Sequence, residues 1–418
     1  MINSSNIILN EQQEKIKNEA IEWFLHSSDQ LFEISGLAGT GKSVLIAAIL
    51  NELGLSANQV AAMAYTGQAS IVMRTKGFPN AKSIHSTLYD VVEIPEANNN
   101  LAKKFGVKGT RRVFKLKSYI NPSISLFFID EAWMVPESMV KDILSFNIKV
   151  IAAGDSHQLP PINSKPGFLM SNKVHYLTQL MRQAESDPIV YLSQRAIHGL
   201  PIHNGLYGNV LVINDTDFVP EMISFADCVL CGTNATRDTM NNYIRYLAGY
   251  NGILPNPGER VICRKNNWDM IIGDIALANG LTGTVLNSPD PSRFNNKDNT
   301  FSIDFLPDIS TRVFHDIKLN YKYFSSPYDI KRSLRDDYKA SKWLRGELFD
   351  YAYALTVHLS QGSEYNNVLY IEEYMYGTDM KQLNYTAITR AKKSLIYIKK
   401  TGKYFKLPNL DNNDIPLE

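Results

Sequence analysis

The sequence predicts an α/β fold of two parallel-sheet domains, the first carrying a small β-hairpin insertion and the second a larger β insertion. Three observations lead there. Short apolar strands alternate with helical stretches in the first 180 residues and again near the end of the chain, the pattern of parallel sheets with crossover helices. Between about 256 and 345 the punctuation changes to hairpin spacing, with Pro257-Gly258, Asn279-Gly280 and Gly283-Thr284-Val285. A chain of 418 residues also exceeds one ordinary core.

Composition narrows the classes of function. Hydrophobic residues make up 44% of the chain and charged ones 20%, the balance of a soluble globular protein. Net charge is only +1, from 43 basic and 42 acidic residues, so any nucleic-acid binding must come from local patches rather than a global field. The opening Met1-Ile2-Asn3-Ser4-Ser5-Asn6 lacks a basic region followed by an apolar core, and no apolar run approaches a membrane span. An intracellular protein with no membrane partner is expected. Three cysteines fit a reducing compartment better than a disulfide framework. Cys228 and Cys231 form a C-x-x-C pair, but on an apolar strand residues three apart face opposite sides and cannot easily grip one metal.

Taken in order, a first helix opens at Asn10-Glu11-Gln12-Gln13 with Ile16, Ala20, Ile21 and Phe24 at helical spacing. Gln13 has two roles open to it: the third position of a capping box with Asn10, or an amide that pairs with the edge of an adenine. Leu31 to Ile34 is a short buried strand. Gly36-Leu37-Ala38-Gly39-Thr40-Gly41-Lys42-Ser43 follows it and meets the phosphate-cradling pattern G-x-x-x-x-G-K-[ST] at every fixed position. Val44 to Leu53 is then a helix that stops at Gly54, so the motif sits between strand and helix as it must. The glycines, with Thr40 among them, let backbone N–H groups turn inward around phosphates, and the new helix points its positive dipole end at the same charge. Lys42 adds a mobile positive charge, and the Ser43 hydroxyl is placed to ligate Mg²⁺. The plain alternative is a glycine-rich turn that happens to carry a lysine.

Val60 to Tyr65 is a second strand, with Thr66-Gly67-Gln68-Ala69-Ser70 at its carboxyl end, where open α/β sheets place their ligands. Ser83-Ile84-His85-Ser86-Thr87-Leu88 comes next. Groups such as Thr66 and His85 suit contacts with a nucleic-acid backbone, although turn and cap roles use the same residue types. Residues 101 to 120 hold Lys103, Lys104, Lys108, Arg111, Arg112, Lys115 and Lys117 and no acid. Phe105, Phe114 and Tyr119 interleave with these charges, and Gly106 and Gly109 supply turns. A hairpin that attracts phosphates and stacks a base is expected, with a solvated basic loop as the alternative.

Leu126 to Ile129 is a wholly apolar strand ending in Asp130-Glu131. Asp130 can hold Mg²⁺ through its water shell, and Glu131 can orient and deprotonate the water that attacks a γ-phosphate. A carboxylate pair after a strand otherwise serves as a helix cap. Lys149 to Ala153 is a further strand, delivering Gly154-Asp155-Ser156-His157-Gln158-Leu159-Pro160-Pro161, in which Gln158 can sense the γ-phosphate.

In these residues the chain resembles the superfamily I helicases, and within them the RecD-like group, over nearly its whole length. The resemblance also rests on Leu177-Thr178-Gln179-Leu180-Met181-Arg182-Gln183, on Thr356-Val357-His358-Leu359-Ser360-Gln361-Gly362-Ser363-Glu364, and on Tyr385-Thr386-Ala387-Ile388-Thr389-Arg390-Ala391. It implies two RecA-like P-loop NTPase domains: residues 1–180 with a basic hairpin insertion at about 90–120, and residues 181–255 with 346–418, divided by an SH3-like β insertion at 256–345. It implies that Arg182 and Arg390 reach the γ-phosphate from the second domain as arginine fingers do. It further implies that Gln361, Gly362 and Glu364 join the nucleotide site, that Thr356 and His358 contact nucleic acid, and that the hairpin acts as a wedge. Tyr65 stands where many relatives have proline, and Leu359 where many have lysine.

The function so implied is an ATP- and Mg²⁺-dependent DNA helicase. It would travel 5′ to 3′ on single-stranded DNA and act at single-strand/duplex junctions, in the cytoplasm of a bacterial or phage-infected cell, nucleoid-associated when bound to DNA. Replication or recombination proteins are the implied partners. Two rivals stand beside it: an ATP-gated single-stranded nucleic-acid binding module or translocase without unwinding, and a phosphotransferase on the same loop. The latter would need an acceptor site and would leave the two arginines unexplained.

Overall fold

The computed structural model describes residues 8–95, 110–161, 164–181, 186–250, 252–273, 275–287, 299–327, 329–334, 345–402, 405 and 407. The chain falls into two compact units, Met1–Ser156 with Pro160–Leu180, and His157–Leu159 with Met181–Glu418.

The first unit opens with the helix Glu11–His26, capped by a full capping box. Asn10 Oδ1 accepts from the Gln13 N–H at 2.8 Å, and Gln13 Oε1 accepts from the Asn10 N–H at 3.0 Å. Its buried face is Gln13, Ile16, Ala20 and Trp23; Trp23 takes the core position that the apolar spacing gives to Phe24, which packs at the margin. The strands that follow are β1 (Leu31–Gly36), β2 (Val60–Ala64), β3 (Lys82–Ser83), β4 (Tyr89–Pro95), β5 (Thr110–Leu116), β6 (Leu126–Asp130), β7 (Lys149–Gly154) and β8 (His175–Leu177). Six of them form one parallel sheet in the order β3-β2-β6-β7-β1-β8.

Both faces of this sheet are covered, so its central strands are apolar throughout. Leu126 and Phe128 pack with the helices Glu11–His26 and Lys42–Glu52, while Phe127 and Ile129 pack on the opposite side with the helix Glu137–Leu144. β1 lies between β7 and β8. From β1 the chain turns toward β2 on one side, and from β7 it passes over β1 to β8 on the other, which makes the carboxyl end of β1 a topological switch point. β4 and β5 stand apart as an antiparallel hairpin paired from Tyr89–Leu116 to Pro95–Thr110. The hairpin therefore begins well before the basic run of residues 101 to 120.

The second unit contains β9 (Gly205–Tyr207), β10 (Val210–Asn214), β11 (Cys228–Cys231), β12 (Arg260–Cys263), β13 (Asn267–Ile272), β14 (Ile275–Leu277), β15 (Thr282–Val285), β16 (Thr300–Pro307), β17 (Phe314–Asn320), β18 (Phe349–Tyr351), β19 (Ala354–Thr356), β20 (Tyr365–Ile371) and β21 (Ala391–Lys399). A second six-stranded sheet runs β19-β11-β20-β21-β10-β9, parallel except for the edge pair β9 and β10. A five-stranded antiparallel sheet, β17-β16-β15-β12-β18, has its own core of Val261, Phe301, Ile303, Phe305, Ile317 and Phe349. This sheet reaches past residue 345: Phe349–Tyr351 pairs with β12 and only then does the chain cross into β19 of the parallel sheet. Hairpin turns mark most of the insertion, but Phe349-Asp350-Tyr351 carries no such signal.

Cys228, Cys231 and Cys263 are buried free thiols. Burial pushes Cys228 and Cys263 up to about 12 and Cys231 well above the ordinary thiol range. No helix among the described residues is long and apolar enough to cross a membrane.

Candidate nucleotide and nucleic-acid site

The phosphate loop leaves the carboxyl end of β1 and closes on the helix Lys42–Glu52. Gly39 and Gly41 take left-handed backbone angles, φ 82° and 76°, which side chains resist. Gly41 is the N-cap and, having no side chain, cannot itself cap the first-turn N–H groups of this helix. A Cβ on Gly36 would lie 2.7 Å from Thr40 Oγ1 and 2.9 Å from Leu177 Cβ, so only glycine lets the loop fold this tightly. Thr40 is fully buried and its hydroxyl donates to Leu37 O at 2.8 Å, which sets the inner wall. Lys42 Nζ donates to Gly36 O and, at 3.1 Å, to Leu37 O, so its charge lies over the same loop. A cradle whose wall a Cβ would fill, lined by backbone donors and one ammonium, fits a polyphosphate; Ser43 beside it offers the hydroxyl that a divalent cation needs.

Asp130 and Glu131 end β6, two places from β1 in the sheet and so about 10 Å across at the usual strand spacing. Asp130 Oδ1 accepts from the Glu131 N–H at 3.0 Å. Glu131 sits at φ 51°, ψ 39°, a left-handed conformation that costs a non-glycine residue on the order of 1 kcal/mol. The turn throws the chain sharply from strand into the short helix Ala132–Met134, leaving the carboxylate at the sheet edge. Gly154, at the end of β7, makes this turn feasible: a Cβ there would lie 3.0 Å from both the Ala132 and Trp133 backbone nitrogens. Ser35 Oγ and Ser156 Oγ meet at 3.0 Å and tie the ends of β1 and β7 together.

The structural role open to Gln13 is formed. Besides the capping box, its Nε2 donates to Thr40 O at 3.1 Å, and the side chain is fully buried. The amide thus braces the phosphate loop from behind. Its neighbour Gln12, which sequence reasoning passed over, clamps the chain after β8: it donates to Tyr176 O at 2.8 Å and accepts from the N–H groups of Thr178 and Gln179, each at 3.1 Å.

On the nucleic-acid side, Thr66 is the N-cap of the helix Gly67–Thr75, its hydroxyl accepting from the Ala69 N–H at 3.1 Å. His85 lies in an aromatic group drawn from separate segments, with ring centroids 6.2 Å from Tyr65, 5.6 Å from Tyr89 and 5.2 Å from Phe114. Phe114 remains 40% exposed at the root of the hairpin. Burial lowers the His85 imidazole below its ordinary value, so it is neutral at pH 7. The Tyr89 hydroxyl donates to Asp142 Oδ2 at 2.6 Å, and Lys117 Nζ donates to Thr87 O at 2.9 Å, fixing the base of the hairpin. Phe105, the side chains of Arg111 and Arg112, and Arg182 lie outside the described residues.

In the second unit, Thr356 ends β19 and is buried, and Gly362 takes φ 77°. His358 is partly buried, and burial lowers its imidazole below the ordinary range. Gln361 is buried and its Nε2 donates to Leu159 O at 2.7 Å, while the Leu159 N–H donates to Thr386 Oγ1 at 3.0 Å. The segment holding Gln158 therefore groups with the Thr356–Glu364 stretch. Glu364 pairs with Lys392 at 3.0 Å. Arg390 is buried, and its guanidinium donates to Thr386 O at 3.1 Å and Ser363 O at 3.2 Å, joining the end of helix Met380–Ile388 to that same stretch.

Two family models match the chain: one described as an AAA domain over residues 9–202, the other as a UvrD-like helicase C-terminal domain over residues 351–398. The ATP-dependent RecD2 DNA helicase of Deinococcus radiodurans is 24% identical over 87% of this chain and 46% of its own length. An uncharacterised protein of Methanocaldococcus jannaschii is 23% identical over 93% of this chain and 38% of its own length. The chain thus spans less than half the length of these curated relatives. Among solved structures, Bacteroides Pif1 bound to single-stranded DNA is 15% identical with a TM-score of 0.50, covering 94% of this chain and 92% of that one. A structure of Pif1 helicases concerned with unwinding at forked double-stranded DNA is 16% identical with a TM-score of 0.51, over the same shares. At such identity the likeness is one of fold, an α/β architecture with a parallel sheet of the RecA-like kind. Motifs, family models and the curated RecD2 relative agree, and the chain is similar to the superfamily I helicases of the RecD type.

Proposed function

We propose that this chain is an ATP-driven DNA helicase that moves 5′ to 3′ along single-stranded DNA and separates duplexes at a junction. The observation that carries the reading is the complete phosphate loop with an uncapped helix start, on the same sheet edge as the strained Glu131. Bound with Mg²⁺, ATP supplies the phosphoanhydride whose cleavage drives movement. Lys42 and the loop N–H groups hold the phosphates, and Ser43 and Asp130 hold the cation. Glu131 takes the proton of the attacking water, Gln158 reports on the γ-phosphate, and Arg182 and Arg390 neutralise charge as it develops. In this reading Gln361, Gly362 and Glu364 complete the nucleotide site, while Thr66, His85, Phe114, Thr356 and His358 meet the DNA and the hairpin with Phe105, Arg111 and Arg112 is the wedge.

The domain reading accompanies it: two RecA-like domains, with β12–β18 as an SH3-like insertion that bears on the DNA. A chain with this activity would work in the cytoplasm of a bacterial or phage-infected cell, nucleoid-associated when bound to DNA. Support for polarity comes from the branch: Gly154-Asp155 with Gln158-Leu159-Pro160-Pro161, Thr356-Val357-His358 with Gln361-Gly362-Ser363-Glu364, and the β insertion resemble the RecD-like branch, which moves 5′ to 3′. Strand separation on tailed duplexes tests it. A duplex with a 5′ tail is unwound with ATP and Mg²⁺ and one with only a 3′ tail is not; the reverse preference overturns the polarity while leaving the hydrolase standing.

A further inference from the structure

The helix Asn234–Leu247 of the second unit buries three polar residues on one stripe. Arg237, Asn241 and Arg245 are four residues apart, so they line a single face, and they are 1%, 4% and 7% exposed. Polar groups buried so deeply need a partner for each. Here the partners of Asn241, and of Arg237 besides its neighbour Asp238, come from one continuous piece of chain where the antiparallel sheet passes into the parallel one, while Arg245 pairs with Glu259 just before β12.

Arg237 Nη2 donates to Asp350 Oδ2 at 3.2 Å on β18; Lys331 at 2.8 Å and Arg264 at 3.4 Å surround the same carboxylate. Burial alone would raise Asp350, but Lys331, Arg237 and Arg264 hold it well below the usual carboxylate range. Asn241 Oδ1 accepts from the N–H groups of Tyr353 and Ala354, each at 2.9 Å, and its Nδ2 donates to Ala354 O at 3.1 Å. One amide therefore grips both polar groups of the first residue of β19. Arg245 makes a two-pronged contact with Glu259, at 2.7 and 3.1 Å, and its guanidinium lies 4.1 Å from the ring centre of Tyr351. The Tyr353 hydroxyl donates to the same Glu259 at 3.2 Å.

Reading along the chain, Asp350, Tyr351, Tyr353 and Ala354 are each held by this one helix face. Thr356 follows directly, and with it the stretch that ends in Gln361 and Glu364. A buried ion pair is weak evidence for stability, because apolar residues of equal volume often hold a fold as well. What directional charge pairs add is register: an apolar stripe tolerates a slip that a bidentate arginine does not.

We propose that this helix is the coupling element of the second unit, its stripe fixing the chain between β18 and Thr356 so that a load on the antiparallel sheet reaches the Thr356–Glu364 stretch rather than being lost at the crossing. Arg237, Asn241 and Arg245 are positioning residues, and the inference rests on the helicase reading above. The test is the double variant Arg245→Met/Glu259→Gln, which removes the charge pair without leaving a lone buried ion. Hydrolysis is measured with and without oligo-dT, beside unwinding of a 5′-tailed duplex. The expected result is melting, DNA-free hydrolysis and the KM for ATP within about twofold of the parent, but a maximal DNA stimulation roughly tenfold lower and more ATP consumed per base pair separated. A folded double variant with the parent's stimulation overturns the coupling role. A parent that shows no stimulation at all overturns the helicase reading itself, so the two failures are told apart. Should the double variant not fold, amide exchange on the parent decides. Oligo-dT is expected to slow exchange both in Thr300–Asn320 and in Phe349–Glu364; protection confined to the former overturns the proposal.

Discussion

Two helices start at the carboxyl edge of a parallel sheet, one in each unit, and they treat their first turn in opposite ways. In the first unit Gly41 opens the helix Lys42–Glu52 with no side-chain cap. In the second, Thr233 caps the helix Asn234–Leu247 by accepting from the Thr236 N–H at 3.2 Å. Glu373 then fills the remaining space: one carboxylate oxygen accepts from the Gly232 and Thr233 N–H groups at 3.0 and 2.9 Å, and the other from the Thr236 hydroxyl at 2.6 Å. A helix start at a sheet edge is an anion site in either unit, by dipole and by free donors. The second unit meets it with its own carboxylate, whereas the glycine N-cap of the first supplies none, as the proposed phosphate site requires. Similar sheets thus differ at their helix starts through one buried glutamate and one run of glycines.

The comparison breaks most directly at Lys42. Lys42→Ala is expected to weaken ATP binding about 10- to 100-fold, the value of a charged hydrogen bond, with little change in melting, because the lysine's protein partners are two backbone carbonyls of its own loop. Titration calorimetry with a non-hydrolysable ATP analogue measures it, and unchanged affinity would remove the first helix from the nucleotide site. Glu373→Gln sharpens the other side. It is expected to lower stability by about 1–2 kcal/mol in chemical denaturation, by weakening bonds to a charged acceptor, and to leave ATP affinity at the parent value. A loss of affinity as large as that of Lys42→Ala would show that the second helix start also serves the nucleotide.

The smallest expected effect is in pH. His85 in the first unit and His358 in the second are both lowered by burial, so each resists protonation in the folded state more than in the unfolded one. As pH falls through about 6.5 the unfolded chain takes up protons first, and the contribution of these two neutral rings is lost toward the lower folded values. Stability at pH 5.5 should therefore lie below that at pH 7.5, and His85→Gln should reduce the difference. A difference between pH 7.5 and 5.5 that is unchanged in His85→Gln would contradict the burial assignment of that ring.

What the sequence disclosed follows the same contrast. The phosphate loop is legible because eight contiguous positions carry it and the strand and helix beside it carry their own periodicity. Asp130-Glu131 is legible for the same reason, closing an apolar strand. The brace from Gln13 Nε2 to Thr40 O joins residues far apart in the chain, and only its capping half could be read locally. The group of Tyr65, His85, Tyr89 and Phe114 assembles from the end of β2, the short helix Ile84–Leu88 with β4 after it, and β5, which meet only in three dimensions. Arg237, Asn241 and Arg245 look like the wet face of a helix, since their partners Asp350 and Glu259 are distant in sequence; Glu373 looks like one acid among several on a loop. Local motifs announce themselves, whereas buried charges take their meaning from partners that the fold brings.

The central claim is that the first unit's open anion site does hydrolytic work answerable to DNA. Steady-state ATP hydrolysis by the parent and by Glu131→Gln, each with and without single-stranded DNA, tests it most directly. The parent is expected to be stimulated at least about tenfold by DNA, and the variant to bind ATP and DNA as the parent does yet hydrolyse about 10²-fold or more slowly, because the amide keeps the shape of the side chain and removes the base. A variant that hydrolyses at the parent rate in the presence of DNA would contradict the account.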